Sequence, residues 1–330
     1  MIRLVWAMLV AVVARAMRRL FSGPIFPGWR WSTELTVVAI RAFIMEAANH
    51  PDPQARRRLE TAFDPPLPRR LRGVVHIERR PIGGRPAEWH VCDLPTSPPV
   101  GPLTLLYLHG GGYVTGNPAT HRRFVARLAW EVGATAVVPA YRLAPAHRFP
   151  AALDDAVAAY RELVATGTEP ETIVIAGDSA GGGLTMATLL RLRDEGDPLP
   201  AGAVLFSPYM DLEHKSDSIN RNRSTDYLPT GPIRPNFEYL GGVDPHHPLA
   251  SPAYGDYSGL PPLLVLAGDR EMIVDDALRL AARAEAVGVV VTMHRGVAMP
   301  HVWPAVLTTE PETLRALAAC RSFVAGVTKR

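Results

Sequence analysis

Five short runs in this chain are apolar almost without a break: Leu103 to Leu108, Thr135 to Pro139, Thr172 to Ala176, Gly202 to Phe206 and Leu263 to Ala267. A strand of that length with no polar alternation is one buried on both faces. Helical patterns fall between the runs, at His121 to Val132, Ala151 to Ala165, Gly181 to Arg193 and Asp275 to Val287. Gly73 to Ile77, Glu88 to Cys92 and Val289 to Met293 complete the strand candidates. This alternation predicts an α/β fold: a mostly parallel, eight-stranded sheet with helices covering both sides.

With 330 residues, 47% hydrophobic and 20% charged, the chain can fill the core of one large α/β domain and is not disordered. The net charge of +3 comes from arginines spread along the chain, so no nucleic-acid partner is expected. The two cysteines, Cys92 and Cys320, lack metal-ligand spacing and read as idle thiols; a reducing compartment fits them.

The N-terminus reads as helical to about residue 48. Leu4 to Ala14 is apolar and flanked by Arg3, Arg15, Arg18 and Arg19, and its 11 residues fall short of the ~20 a bilayer span needs. The favoured reading is a helix packed on the body of a cytoplasmic protein. A membrane-surface helix over residues 1–21 and a signal peptide cut near Ala14-Arg15-Ala16 are less favoured. Thr33 to Ala48 shows one apolar helix face, and Asn49-His50-Pro51-Asp52-Pro53 breaks it. From Asp211 to Pro252 the alternation lapses into a polar stretch rich in Pro, Gly, Asn and His. It reads as an insertion, helical around Pro235 to Leu240 and part of a lid.

Chemistry concentrates at Gly177-Asp178-Ser179-Ala180-Gly181, which lies between a strand candidate and a helix candidate. A Gly-x-Ser-x-Gly turn in that setting is a nucleophile elbow, too tight for side chains beside the serine, and it lifts the Ser179 hydroxyl above the strand end. His109-Gly110-Gly111-Gly112 follows the strand Leu103 to Leu108. Consecutive glycines carry an entropic cost that makes sense where backbone must approach a substrate closely. The N–H groups of Gly111, Gly112 and Ala180 are the expected oxyanion hole. His109 reads as a brace for the loop, not as a catalyst.

In such sites the chain order is nucleophile, acid, histidine. His301 lies beyond the last strand candidate and is preferred as base over His294, which sits on the strand itself. Four carboxylates follow the strand Leu263 to Ala267. Asp275 and Asp276 open a helix and read as ordinary first-turn acids, which leaves Asp269 and Glu271 as candidates to orient the histidine.

These residues resemble the bacterial hormone-sensitive lipase-like esterases of the α/β-hydrolase fold, in their Gly-Asp-Ser-Ala-Gly branch. The likeness covers roughly residues 70–325. It includes Tyr141-Arg142-Leu143-Ala144-Pro145, the run Phe149 to Asp155, Ser207-Pro208, the run Pro248 to Pro252, and Leu260-Pro261-Pro262. The family commonly carries Asp-Pro-Leu-x-Asp-Glu after the seventh strand. Glu271-Met272-Ile273-Val274-Asp275-Asp276 aligns with it, so the resemblance assigns the acid to Glu271, a Glu where Asp is usual. It also implies a helical cap from residues 1–55, a catalytic domain over 56–330, and a cap contribution from 208–247. The implied activity is hydrolysis of small esters with short-to-medium acyl chains, without metal or cofactor, by a monomer or homodimer. A deacetylase or amidase would use the same residues. A non-catalytic binding protein of this fold would lack one of them.

Overall fold

The computed structural model describes residues 2–48, 66–93, 103–229 and 238–328. The break expected at Asn49 to Pro53, the boundary expected between 55 and 56, and Pro235 to Phe237 of an expected helix lie outside the described residues. Glu238 to Leu240 is helical.

Eight strands form one sheet: β1 Val75–Arg79, β2 Ala87–Cys92, β3 Leu103–Leu108, β4 Ala134–Pro139, β5 Ile173–Asp178, β6 Gly202–Phe206, β7 Leu263–Gly268 and β8 Val291–Gly296. Their spatial order is β1-β2-β4-β3-β5-β6-β7-β8. β2 pairs antiparallel with β1 and β4, and every other pairing is parallel. The expected mostly parallel α/β architecture is what the chain adopts. Two strands start later than the hydrophobic pattern suggests, because turns claim their first residues. The Val74 N–H closes a turn on Leu71, and the Val289 N–H bonds the Ala284 carbonyl at 3.0 Å.

Alternation along the buried strands divides the core into two layers. Leu106, Ile175, Leu205 and Val265 face helices α4 Ala151–Ala165, α5 Ala180–Asp194 and α6 Val274–Ala286. Leu105, Val174, Val204 and Leu264 face α3 Pro118–Val132 and α7 Pro311–Val327. α3 starts three residues before its apolar pattern does, because Asn117 caps it by accepting the Thr120 N–H at 3.0 Å and Pro118 occupies the first turn.

The N-terminal segment is a hairpin of two helices. α1 Ile2–Ser22 stops at Gly23, whose φ of +71° suits a helix C-terminus, and α2 is Trp31–Ala48. The hairpin rests on the loops that follow β6 and β8. The Trp29 indole donates to the Ala298 carbonyl at 2.5 Å, and Arg41 donates to the carbonyls of Ser224 and Asp226. The expectation that α1 packs inward through its apolar residues needs correction: Trp6, Leu9 and Val13 all point to solvent.

The stretch from 210 to 227 differs from the polar lid its composition suggests. Asp211, Ser218, Asn222 and Asp226 are buried. Asp276 does not cap its own helix. Its carboxylate accepts the Met210 and Asp211 N–H groups at 3.0 and 3.1 Å, while Asp275 accepts the Ser218 N–H at 2.8 Å. Buried polar groups persist only where they are paired, and these pair with groups of the segment 269–279.

Candidate active site

β5 hands directly to α5 through Ser179, whose backbone sits at φ +52°, ψ −119°. A non-glycine residue there is strained, and the surroundings hold it. The Ser179 N–H bonds the Phe206 carbonyl at 2.9 Å, and its carbonyl takes the Tyr209 N–H at 2.9 Å. Gly181 is obligatory, since a Cβ on it would lie 1.9 Å from the Leu108 carbonyl oxygen. The elbow is thereby pressed against the end of β3, where the glycine loop begins.

That loop is anchored from beneath by Asp178, which accepts the Gly110 N–H at 2.9 Å and the Tyr107 hydroxyl at 2.7 Å. His121 Nε2 lies 3.5 Å from the same carboxylate. Burial pushes the Asp178 carboxyl up, but His121, Tyr107 and the Gly110 N–H together hold it down at about 2. Gly111 turns the loop at φ +122°, with a Cβ position only 2.2 Å from the Thr115 carbonyl oxygen. The N–H groups of Gly111, Gly112 and Ala180 donate to no protein acceptor among the described residues, and Ala180 opens α5, where the helix dipole adds positive potential. His109 stacks on Tyr141 at 4.2 Å, and its carbonyl accepts the Tyr141 hydroxyl. Burial, with His121 nearby, lowers its imidazole to about 3.

His301 follows β8 and is buried, with Nδ1 3.4 Å from Glu271 Oε2. That is long for a hydrogen bond, and such contacts commonly tighten only when substrate is bound. Nε2 has no hydrogen-bond partner among the described residues, which leaves it free for a hydroxyl. Burial works to lower the imidazole, but facing Glu271, with Asp226 behind, carries it upward. Burial likewise raises the Glu271 carboxyl, against the opposing pull of His301. The competing candidates lie apart from this pair. Asp269 pairs with Arg270 Nε at 3.3 Å, while His294 stacks on Trp303.

Residues that motif reading passes over hold the two loops together. Asp226 accepts the N–H groups of Tyr227, His301 and Met272 at 2.8, 3.2 and 2.6 Å. Asn222 donates to the Glu271 carbonyl at 2.8 Å, and the Ser207 hydroxyl accepts the Val302 N–H at 2.9 Å. A lone Asp in a polar stretch gives no sequence signal of this; only the tertiary pairing does. Among the described residues no group of three His, Cys, Asp or Glu side chains is arranged to hold a metal ion.

The chain is similar to known hydrolases. Residues 105–305 match the model of an alpha/beta hydrolase fold family. An acetyl-hydrolase of Streptomyces hygroscopicus is 45% identical over 227 residues, which is 68% of this chain and 76% of that one. An esterase of Acinetobacter venetianus is 32% identical over 226 residues, 68% of this chain and 75% of its own length. The crystal structure of an esterase from the bacterial hormone-sensitive lipase family superposes with a TM-score of 0.82 at 38% identity, covering 91% of this chain and 99% of that chain.

Proposed function

The chain belongs to the bacterial hormone-sensitive lipase-like esterases of the alpha/beta hydrolase fold and is a carboxylesterase, and from that premise we propose that Ser179, His301 and Glu271 carry the reaction. The observation that carries the proposal is the buried His301–Glu271 pair, with the free Nε2 of the imidazole, at the same C-terminal end of the parallel strands as the strained Ser179 turn.

In this reading His301 Nε2 takes the Ser179 proton as Oγ attacks the ester carbonyl. Glu271 fixes the imidazole tautomer through Nδ1 and stabilises the imidazolium. The oxyanion is held by the N–H groups of Gly111, Gly112 and Ala180, which are fixed before substrate arrives. His301 then protonates the leaving alcohol, and water releases the acid from the acyl-enzyme by the reverse sequence of proton transfers.

The hairpin 2–48 and the described part of 208–247 act as the cap over the site. Support comes from their contacts with the loops that carry His301 and Glu271. A small acyl group, about two to eight carbons, fits the resemblance, and the acetyl-hydrolase relative favours its short end. The same relative supports removal of an acetyl group from a natural ester as the second reading.

Ser179→Ala, assayed on p-nitrophenyl esters of graded acyl length, tests the proposal. Turnover is expected to fall by about 10⁴-fold or more on every ester. Retained activity would remove Ser179 from the mechanism.

A further inference from the structure

Helix α1 is turned inside out. Two of its arginines, Arg15 and Arg19, turn inward, where both pair with the fully buried Glu34. Its solvent side is apolar instead: Trp6, Leu9, Val13, Met17, Leu20 and Phe21 are between 51% and 86% exposed. Their spacing of one, three or four residues places them in one continuous stripe along the helix. Apolar residues scattered singly over a surface need no explanation, but a contiguous stripe marks a surface that something covers.

Charge identifies what covers it. Residues 1–48 carry six arginines and two glutamates, and one of those glutamates is buried Glu34. α1 contains no acidic residue at all, while Arg18, on the helix beside the stripe, and Arg30 are exposed. A second copy meeting this face would bring arginines against arginines with no carboxylate on α1 to pair them. A layer of anionic headgroups supplies the missing charge, and its apolar interior accepts the stripe. Trp6, Phe21 and Trp31, over which the Arg19 guanidinium lies at 4.6 Å, are the aromatic types that settle at such a boundary. No described helix is long and apolar enough to cross a membrane, so the geometry is that of a helix lying on the surface.

We propose that the outward face of α1 docks the enzyme onto an anionic lipid bilayer surface. The contact is parallel to the membrane, through the Trp6–Phe21 stripe and the arginines beside it.

Sedimentation of the full-length chain with two kinds of vesicle tests this. One kind is phosphatidylcholine alone; the other is an equimolar mixture of phosphatidylcholine and phosphatidylglycerol. The protein is expected to bind the mixed vesicles about tenfold more tightly than the neutral ones, and to be released by salt. Leu9→Gln combined with Val13→Gln and Met17→Gln is expected to reduce that binding by about tenfold or more, since the stripe supplies the apolar part of the affinity. These side chains are exposed, so the variant should keep wild-type thermal stability. Three results would overturn the proposal: wild-type protein that does not sediment with mixed vesicles, binding that ignores phosphatidylglycerol, or a variant that binds as well as wild type. A dimer that the variant breaks, with no vesicle binding, would assign the face to a second copy and overturn it equally.

Discussion

Asp226 grips the backbone of His301. Its Oδ1 accepts the His301 N–H at 3.2 Å, while Oδ2 accepts the Met272 N–H at 2.6 Å, so one buried carboxylate ties the histidine loop to the loop of Glu271. Replacing it by Ala orphans buried N–H groups at about 1–3 kcal/mol each, and equilibrium denaturation should record that loss. The loops it joins would drift, and a displacement near 1 Å in such a site costs about 100-fold. In Asp226→Ala, kcat is therefore expected to fall further than KM rises. Unchanged kcat in a destabilised variant would limit Asp226 to stability.

Glu271 and Asp269 are separated by substitution. Glu271→Gln is expected to lower kcat by on the order of 10⁴-fold, the scale seen when the orienting acid of a serine protease is neutralised. Asp269→Ala, which loses only its contact with Arg270, should stay within a few-fold of wild type on the same p-nitrophenyl ester.

The pH profile follows from the direction in which His301 is displaced. The base works only when neutral, and the carboxylates around it raise its affinity for a proton. Activity should therefore decline as pH falls through a midpoint above the ordinary imidazole value of about 6.5. Removing the negative charge in Glu271→Gln should move that midpoint of kcat/KM downward. A midpoint that moves up, or not at all, would mean Glu271 does not face the imidazole in the working enzyme.

The glycine loop gives a steric prediction. Gly111→Ala puts a methyl group against the Thr115 carbonyl at a backbone angle that alanine rarely adopts, so the loop must shift. If Gly111 and Gly112 supply the oxyanion donors, kcat should drop by about 10²–10³-fold per donor displaced. A fall in kcat with KM little changed would show the loss to be one of transition-state stabilisation.

How much of this is legible in sequence depends on how local the constraint is. The turn around Ser179 is readable because one of its constraints lies within five residues: a Cβ on Gly177 would lie 2.2 Å from the carbonyl oxygen of Gly181. The strands are readable because β3, β5, β6 and β7 are buried on both faces and must be apolar throughout. Asp226 is not readable in this way. Its stretch looks like a solvated lid, and the polar residues are buried only because each finds a partner from another loop. α1 misleads for the opposite reason. Its apolar residues suggest inward packing, yet buried Glu34 draws the arginines in and leaves the apolar face outside. Hydrophobic pattern reports that a face needs covering, not what covers it.

The central claim, that Ser179 is the nucleophile of an acyl-enzyme, is tested most directly by covalent trapping. Diethyl p-nitrophenyl phosphate transfers its phosphoryl group to an activated serine and stays there, so the modified residue can be read by peptide mass spectrometry. The account predicts one phosphoryl group per chain, on the peptide carrying Ser179, acquired in step with loss of esterase activity and absent in Ser179→Ala. Inactivation with the label on another residue, or full labelling of Ser179→Ala, would contradict it.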